Sequence, residues 1–176
     1  MKVLTINGSL QATSSNQALL ELAVAVAPSG TQVGMSISVG ALPHFNPDID
    51  AASVDAVTTL ISQVRAADAV IVATPEYAHS LPGTLKNALD WMVGNGAMYE
   101  RPVAIISAAV APTRGALGRG ALEQTLRGHG SIIVTSVTIS TTAAPSTIEQ
   151  ALGEVFAALS AAVRRRQDEA LRPNSV

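Results

Sequence analysis

Asp68-Ala69-Val70-Ile71-Val72-Ala73-Thr74 is an unbroken, largely apolar run of strand length, closed by Pro75. A strand with one wet face alternates apolar and polar residues; a run without alternation reads as buried on both faces, the situation of a parallel sheet. Parallel neighbours cannot be joined by tight hairpins and need long crossovers, usually helices. Four further strands and five amphipathic stripes accompany this run in the sequence.

Val3-Leu4-Thr5-Ile6 is the first strand, ended by Asn7-Gly8. Ser14 with Gln17 fits a capping box, and Leu19, Leu22, Ala23 and Val26 repeat at helical spacing. Gln32 to Ser38 alternates as a second strand, and an irregular Pro/Asn/Asp-rich loop follows from Val39 to Asp50. Val54, Val57, Leu60, Ile61 and Val64 mark the second helix; Leu85, Ala88, Leu89 and Met92 mark the third, opened by Pro82-Gly83. Pro102 to Ser107 is the fourth strand, Gly118 to Arg127 the fourth helix, and Ser131 to Ile139 the fifth strand. Ser146 with Glu149 reads as a second capping box, opening a long helix whose stripe is Ile148, Leu152, Val155, Phe156, Leu159 and Val163. Arg164-Arg165-Arg166 is expected to cover its last turn. Residues 1–166 form one domain, and 167–176 are expected to be a disordered tail.

Strands alternating with helices give a doubly wound parallel sheet, since right-handed crossovers place helices on both faces. Ligands of such sheets sit beyond the carboxyl ends of the strands. The loops there are Gly8 to Asn16, Pro75 to Leu81 and Ala108 to Gly115. The first is rich in hydroxyls and runs into a helix N-terminus, which suits an anion such as a phosphate monoester. A polar loop that only caps the helix fits the same residues. Neither a nucleoside-triphosphate P-loop nor the Gly-x-Gly-x-x-Gly dinucleotide pattern is present in that loop.

Composition narrows the function. The absence of cysteine removes disulfides, iron–sulfur clusters and a thiol nucleophile, so redox chemistry requires a bound cofactor. A net charge of −2 without a basic run speaks against nucleic acid, and also against a strongly acidic electron-carrier surface. His44 and His129 lie in separate loops without metal-ligand spacing, and no metal is expected. No apolar run is long enough to span a bilayer, and Met-Lys-Val-Leu-Thr enters a strand too early for a signal peptide; a cytoplasmic location is the expectation.

Two stretches, Gly8-Ser9-Leu10 through Ser14 and Asn16, and Thr74-Pro75-Glu76-Tyr77-Ala78-His79-Ser80-Leu81-Pro82-Gly83 on to Trp91, resemble the NADPH-dependent FMN reductase family, which includes quinone and chromate reductases. Leu42 to Asp48 is similar to that family's loop after the second strand, so the resemblance reaches about Leu126. It implies a flavodoxin-like five-stranded sheet of order 2-1-3-4-5. It also implies FMN as cofactor, NADPH or NADH as co-substrate, a small acceptor such as a quinone, chromate or flavin, and a homodimer or homotetramer. Hydride would pass through flavin N5 by a ping-pong scheme, with no catalytic side chain.

Carried onto this chain, the resemblance implies a phosphate loop at Ser9, Gln11, Ser14, Ser15 and Asn16, and a flavin-ring loop at Pro75, Glu76, Tyr77 and Ala78. A third loop begins at Ser107, while His79 and Arg114 are candidates for contact with the nicotinamide nucleotide or acceptor. The chain departs from the family pattern at Gln11, where many members have Arg, and at Ala78, where Asn is usual. The turn after Ser107 also lacks the family's Gly-rich form. Two other classes compete: a flavodoxin-like FMN electron carrier without direct NADPH oxidation, and a serine hydrolase using Ser9. The latter lacks Gly-x-Ser-x-Gly and a late Asp-x-x-His.

Overall fold

The computed structural model describes residues 1–111 and 113–171. Five strands and five helices alternate: β1 (Lys2–Asn7), α1 (Ser15–Ala25), β2 (Gln32–Met35), α2 (Asp55–Ala66), β3 (Ala69–Ala73), α3 (Gly83–Val93), β4 (Pro102–Ala109), α4 (Ala116–Gly128), β5 (Ile132–Ser140) and α5 (Pro145–Leu171). Short 3-10 turns at Val39–Ala41 and Ala51–Ser53 interrupt the β2–α2 connection. The strands pair in parallel in the order β2-β1-β3-β4-β5, as the resemblance implies.

The apolar run at residues 68–74 explains the layering. Side chains alternate across a strand, so β3 sends Val70 and Val72 to one face and Ala69, Ile71 and Ala73 to the other, and every one is fully buried. The first face is covered by Val57, Leu60 and Val64 of α2, Leu85, Leu89 and Met92 of α3, and Leu122 and Leu126 of α4. The second is covered by Leu19, Leu20 and Ala23 of α1 and by Leu152, Val155, Phe156 and Leu159 of α5. Trp91 belongs to the first core: it is buried, its indole N–H donates to Pro43 O at 2.9 Å, and Phe45 stands edge-on to its ring.

Several boundaries differ from the sequence expectation for local reasons. The second strand stops at Met35 because the backbone leaves the ladder there: Ser36 N still donates to Thr5 O, but Ile37 N turns to Gln63 Oε1 and Ser38 caps the next 3-10 turn. Of the two capping boxes, the first is half formed. Ser14 Oγ accepts from Gln17 N, while the Gln17 amide engages Asn7 and Glu21. The second is replaced by a start two residues earlier, with Pro145 at the first helical position, where its missing N–H costs nothing. The last helix runs on through 167–171, so the domain boundary expected after Arg166 falls inside α5. Consequently Arg164, Arg165 and Arg166 lie short of its last turn, and Arg164 donates to Ser160 Oγ. Residues 172–176 of the expected tail lie outside the described residues.

Phe156 is the largest fully buried side chain of the α1/α5 layer. Phe156→Ala is expected to destabilise the domain by about 3–5 kcal/mol, read as a lowered urea midpoint, because the rigid sheet beneath cannot collapse into the void.

Candidate functional site

The turns at the carboxyl end of the sheet are held by extensions of its own ladder. Gly8 N donates to Ala73 O at 2.8 Å and Thr74 N to Ile106 O at 3.0 Å, so the chain leaves β1, β3 and β4 at fixed points. Gly8 is needed for this approach, since a Cβ there would sit 2.8 Å from Leu85 and 3.1 Å from Ala73 O. Asn16, in the first turn of α1, accepts from Ala108 N through Oδ1 at 2.9 Å and ties that turn to the end of β4.

Between these turns lies a cleft of about 440 Å³, within the range of small-molecule sites. It brings together Ser15, Pro75, Glu76, Ser107 and Arg114 from the expected set, with Thr74, Ala108, Ala109, Val110, Gly115 and Thr141 completing the wall. Ser9 and Gln11 face another way, into a second cleft of about 340 Å³ shared with Asn7, Gln17, Met35, Ser36 and Ser38. The first loop is thus a ridge with one hydroxyl set on each side. Ser14 and Asn16 are buried and use their side chains internally, as helix cap and inter-loop tie. Neither lines the main cleft, which Ser15 alone of this helix tip reaches.

Tyr77, Ala78 and His79 form an exposed tip. Tyr77 and Ser80 exchange backbone hydrogen bonds of 3.0 Å, and the two residues between them have φ of 48° and 62°. Positive φ at both central positions is the geometry of a two-residue type I′ turn, which favours Asn and Gly. This is a conformational reason for Asn at the position of Ala78, apart from any ligand contact. Tyr77 is 52% exposed, and none of the three lines the cleft.

Glu76 uses its carboxylate structurally. Oε2 accepts from Leu117 N at 2.9 Å and Gly118 N at 3.0 Å, capping the N-terminus of α4 from the neighbouring loop. The bond from Gly118 N leads in holding its pKa below the ordinary value, with the bond from Leu117 N and the nearby His79 assisting and partial burial opposing. His79 Nδ1 stands 3.5 Å from Glu76 Oε1. The close approach needs Gly118, because a Cβ there would lie 3.0 Å from Glu76 Cα and Cβ and 3.2 Å from Pro75 O.

Sequence reasoning missed Arg119. Its Nη1 donates to Ser107 Oγ at 2.8 Å and also to Thr138 Oγ1, beneath the turn that ends β4. The available signal was a charged residue on the same helical stripe as Leu122 and Leu126. Among the described residues no group of three His, Cys, Asp or Glu side chains could hold a metal ion.

The site is therefore a cleft at a helix tip, lined by hydroxyls and backbone with Glu76 and Arg114 as its charged members, and walled by the turns after β3 and β4. The profile of the family described as NADPH-dependent FMN reductase matches residues 1–145. The chain is 37% identical over 129 residues to an NAD(P)H-dependent FMN reductase of Pseudomonas aeruginosa, covering 72% of this chain and 69% of that protein. It is 34% identical over 131 residues to a 2-hydroxy-1,4-benzoquinone reductase of a Burkholderia species, covering 73% and 69%. Among solved structures, the flavoenzyme NAD(P)H:(acceptor) oxidoreductase FerB of Paracoccus denitrificans superposes with a TM-score of 0.73 at 26% identity, covering 93% of this chain and 95% of that one. A flavodoxin of Bacillus cereus shares the fold alone, with a TM-score of 0.63 at 13% identity over 92% of this chain and 98% of that one.

Three substitutions probe this construction. Gly118→Ala should destabilise the protein by about 1–3 kcal/mol, because backbone and not a flexible side-chain end must give way. Ala78→Asn should stabilise it by up to about 1 kcal/mol, by removing an alanine from the left-handed region. Glu76 has a depressed folded-state pKa, so its stabilisation is present above the ordinary value of 4.5 and is lost as pH falls through the folded value. Urea midpoints of wild type and Glu76→Gln should therefore converge in acid and separate toward neutrality.

Proposed function

The chain belongs to the NADPH-dependent FMN reductase family, and on that premise we propose that it oxidises NAD(P)H and passes the electrons to a small acceptor such as a quinone, in a ping-pong sequence at the cleft between the first, third and fourth strand ends. One observation carries the reading: Ser15, Pro75, Glu76, Ser107 and Arg114, expected from separate stretches of sequence, converge on one cleft.

FMN is the family's cofactor, and the residues present fit it. The phosphate would be held by the first-turn amides of α1 and the Ser15 hydroxyl, where the helix dipole supplies the positive potential that Gln11 does not. The turn at Pro75 and Glu76 and the strand end from Ser107 to Val110 would flank the flat ring. Bound FMN supplies the hydride chemistry through N5, while protein groups provide position and electrostatics.

The chain's own groups therefore bind and orient. Glu76 is committed to the α4 cap and need not act as acid or base; its role is to hold the two turns at a fixed spacing. Arg114, at the mouth, is suited to a phosphate of the nicotinamide nucleotide, since a guanidinium can donate two parallel hydrogen bonds to it. His79, on the exposed tip, is placed to meet nucleotide or acceptor from outside. A pure electron carrier of the same fold would bind FMN without oxidising NAD(P)H, and the modest net charge of −2 gives it no strongly acidic docking surface. The proposed assembly is a homodimer or homotetramer.

The test is anaerobic mixing of FMN-loaded protein with NADPH or NADH, followed by a quinone, with absorbance recorded at the flavin and nicotinamide bands. Bleaching by the nucleotide and recovery with the quinone are expected; no bleaching would favour the carrier. Fluorescence titration with FMN checks the phosphate grip. Ser15→Asp, which places a competing carboxylate at the helix tip without disfavouring the helix, should weaken binding about tenfold or more, equivalent to about 1.4 kcal/mol. Gln11→Ala, facing the second cleft, should leave affinity within about threefold.

A further inference from the structure

Arg119, which does not line the cleft but bonds to Ser107 in its wall, is left unused by this function. It reaches from the first turn of α4 to the ends of β4 and β5, where Nη1 donates to both Ser107 Oγ and Thr138 Oγ1. Nε is buried without a hydrogen-bond partner, and none of the ion pairs among the described residues includes this guanidinium. Glu123 and Glu76 act on it only at longer range, and burial opposes its charge. Two neutral hydroxyls are weak compensation for partly withdrawing a cation from water, and a neutral amide could bond to them without that cost.

The protons of this cluster indicate where the charge is directed. Thr138 Oγ1 accepts from Arg119 and donates to Arg114 O at 3.2 Å. Ser107 Oγ also accepts from Arg119, and because the Thr138 proton is committed to Arg114 O, the 3.2 Å bond between the two hydroxyls has Ser107 as its donor. Ser107 is only 1% exposed, yet it lines the cleft. Its hydroxyl is a donor polarised by a cation behind it, with Thr138 Oγ1 as its acceptor here and a cleft ligand as the competing one, in surroundings where solvent screening is weak.

We propose that Arg119, acting through Ser107, stabilises the negative charge that a flavin in this cleft gains on two-electron reduction. The inference rests on the FMN reading above. A hydride carries two electrons and one proton, so its transfer from the nicotinamide leaves one added negative charge on the neutral isoalloxazine and the matching positive charge on the nicotinamide ring. A fixed cation under the floor favours the reduced partner of that couple and barely affects the neutral oxidised one. Arg119 is thus a positioning residue whose effect appears in the balance between the two redox states.

The experiment compares wild type, Arg119→Gln, Arg119→Lys and Ser107→Ala as FMN complexes. Oxidised-FMN affinity is read by fluorescence quenching, and the two-electron midpoint potential by equilibration against a reference dye. Arg119→Gln keeps a donor for Ser107 without the charge. It is expected to bind oxidised FMN within about threefold of wild type while losing about tenfold in relative affinity for reduced FMN, about 30 mV in potential. Arg119→Lys should stay within about threefold of wild type in that ratio, and Ser107→Ala should lower it in the same direction as Arg119→Gln. An unchanged potential in Arg119→Gln, or equal weakening of both redox states, overturns the inference and leaves the FMN reading intact. If Arg119→Gln does not fold, Ser107→Ala decides by the same criterion. Failure of wild type to bind FMN removes the reading and the inference together.

Discussion

The structure depends on the double-sided burial of β3. Because both faces of Ala69–Ala73 are sealed, its backbone groups must find partners in β1 and β4, and the ladder continues beyond the strand into Gly8 and Thr74. An unpaired amide there would carry the full cost of desolvation. The same constraint that fills the core therefore sets where the first and third turns leave the sheet, and so the width of the cleft between them.

Within the cleft, Arg114 is the charged side chain left at the mouth, and the other charges are tied up or set back. The anion end is served by helix amides and hydroxyls, Glu76 is drawn into the α4 cap, and Arg119 is placed behind Ser107. A carboxylate pointing into the open volume would repel a phosphate and a reduced ring alike; bound to Leu117 N and Gly118 N, it instead joins the turn after β3 to α4. The close packing at Gly118 gives that joint its stiffness.

The family resemblance and the geometry meet most closely at Glu76. From sequence, an isolated acid in a loop reads as solvated, or as a residue whose backbone matters. Its partners lie about forty positions away, and no local spacing announces a helix N-terminus arriving from the other side of a strand. Arg119 was missed for the same reason: the stripe it shares with Leu122 was visible, but its hydroxyl acceptors belong to two different strands. Ala78 shows the converse, since the departure from Asn was evident in the sequence while its cause, a left-handed turn, required φ.

By itself the sequence determined the layered architecture. An unbroken apolar strand, regular helical stripes and short turns admit only a parallel sheet covered on both faces, and periodicity is a local property that survives without coordinates. It also determined which three loops crown the sheet. Only the tertiary structure decided which of their side chains share a cleft: it turned Ser9 and Gln11 away from Ser15, buried Ser14 and Asn16 in internal bonds, and brought Arg119 beneath Ser107. Those outcomes follow from the direction each turn takes on leaving its strand, which is fixed by contacts among residues far apart in the chain.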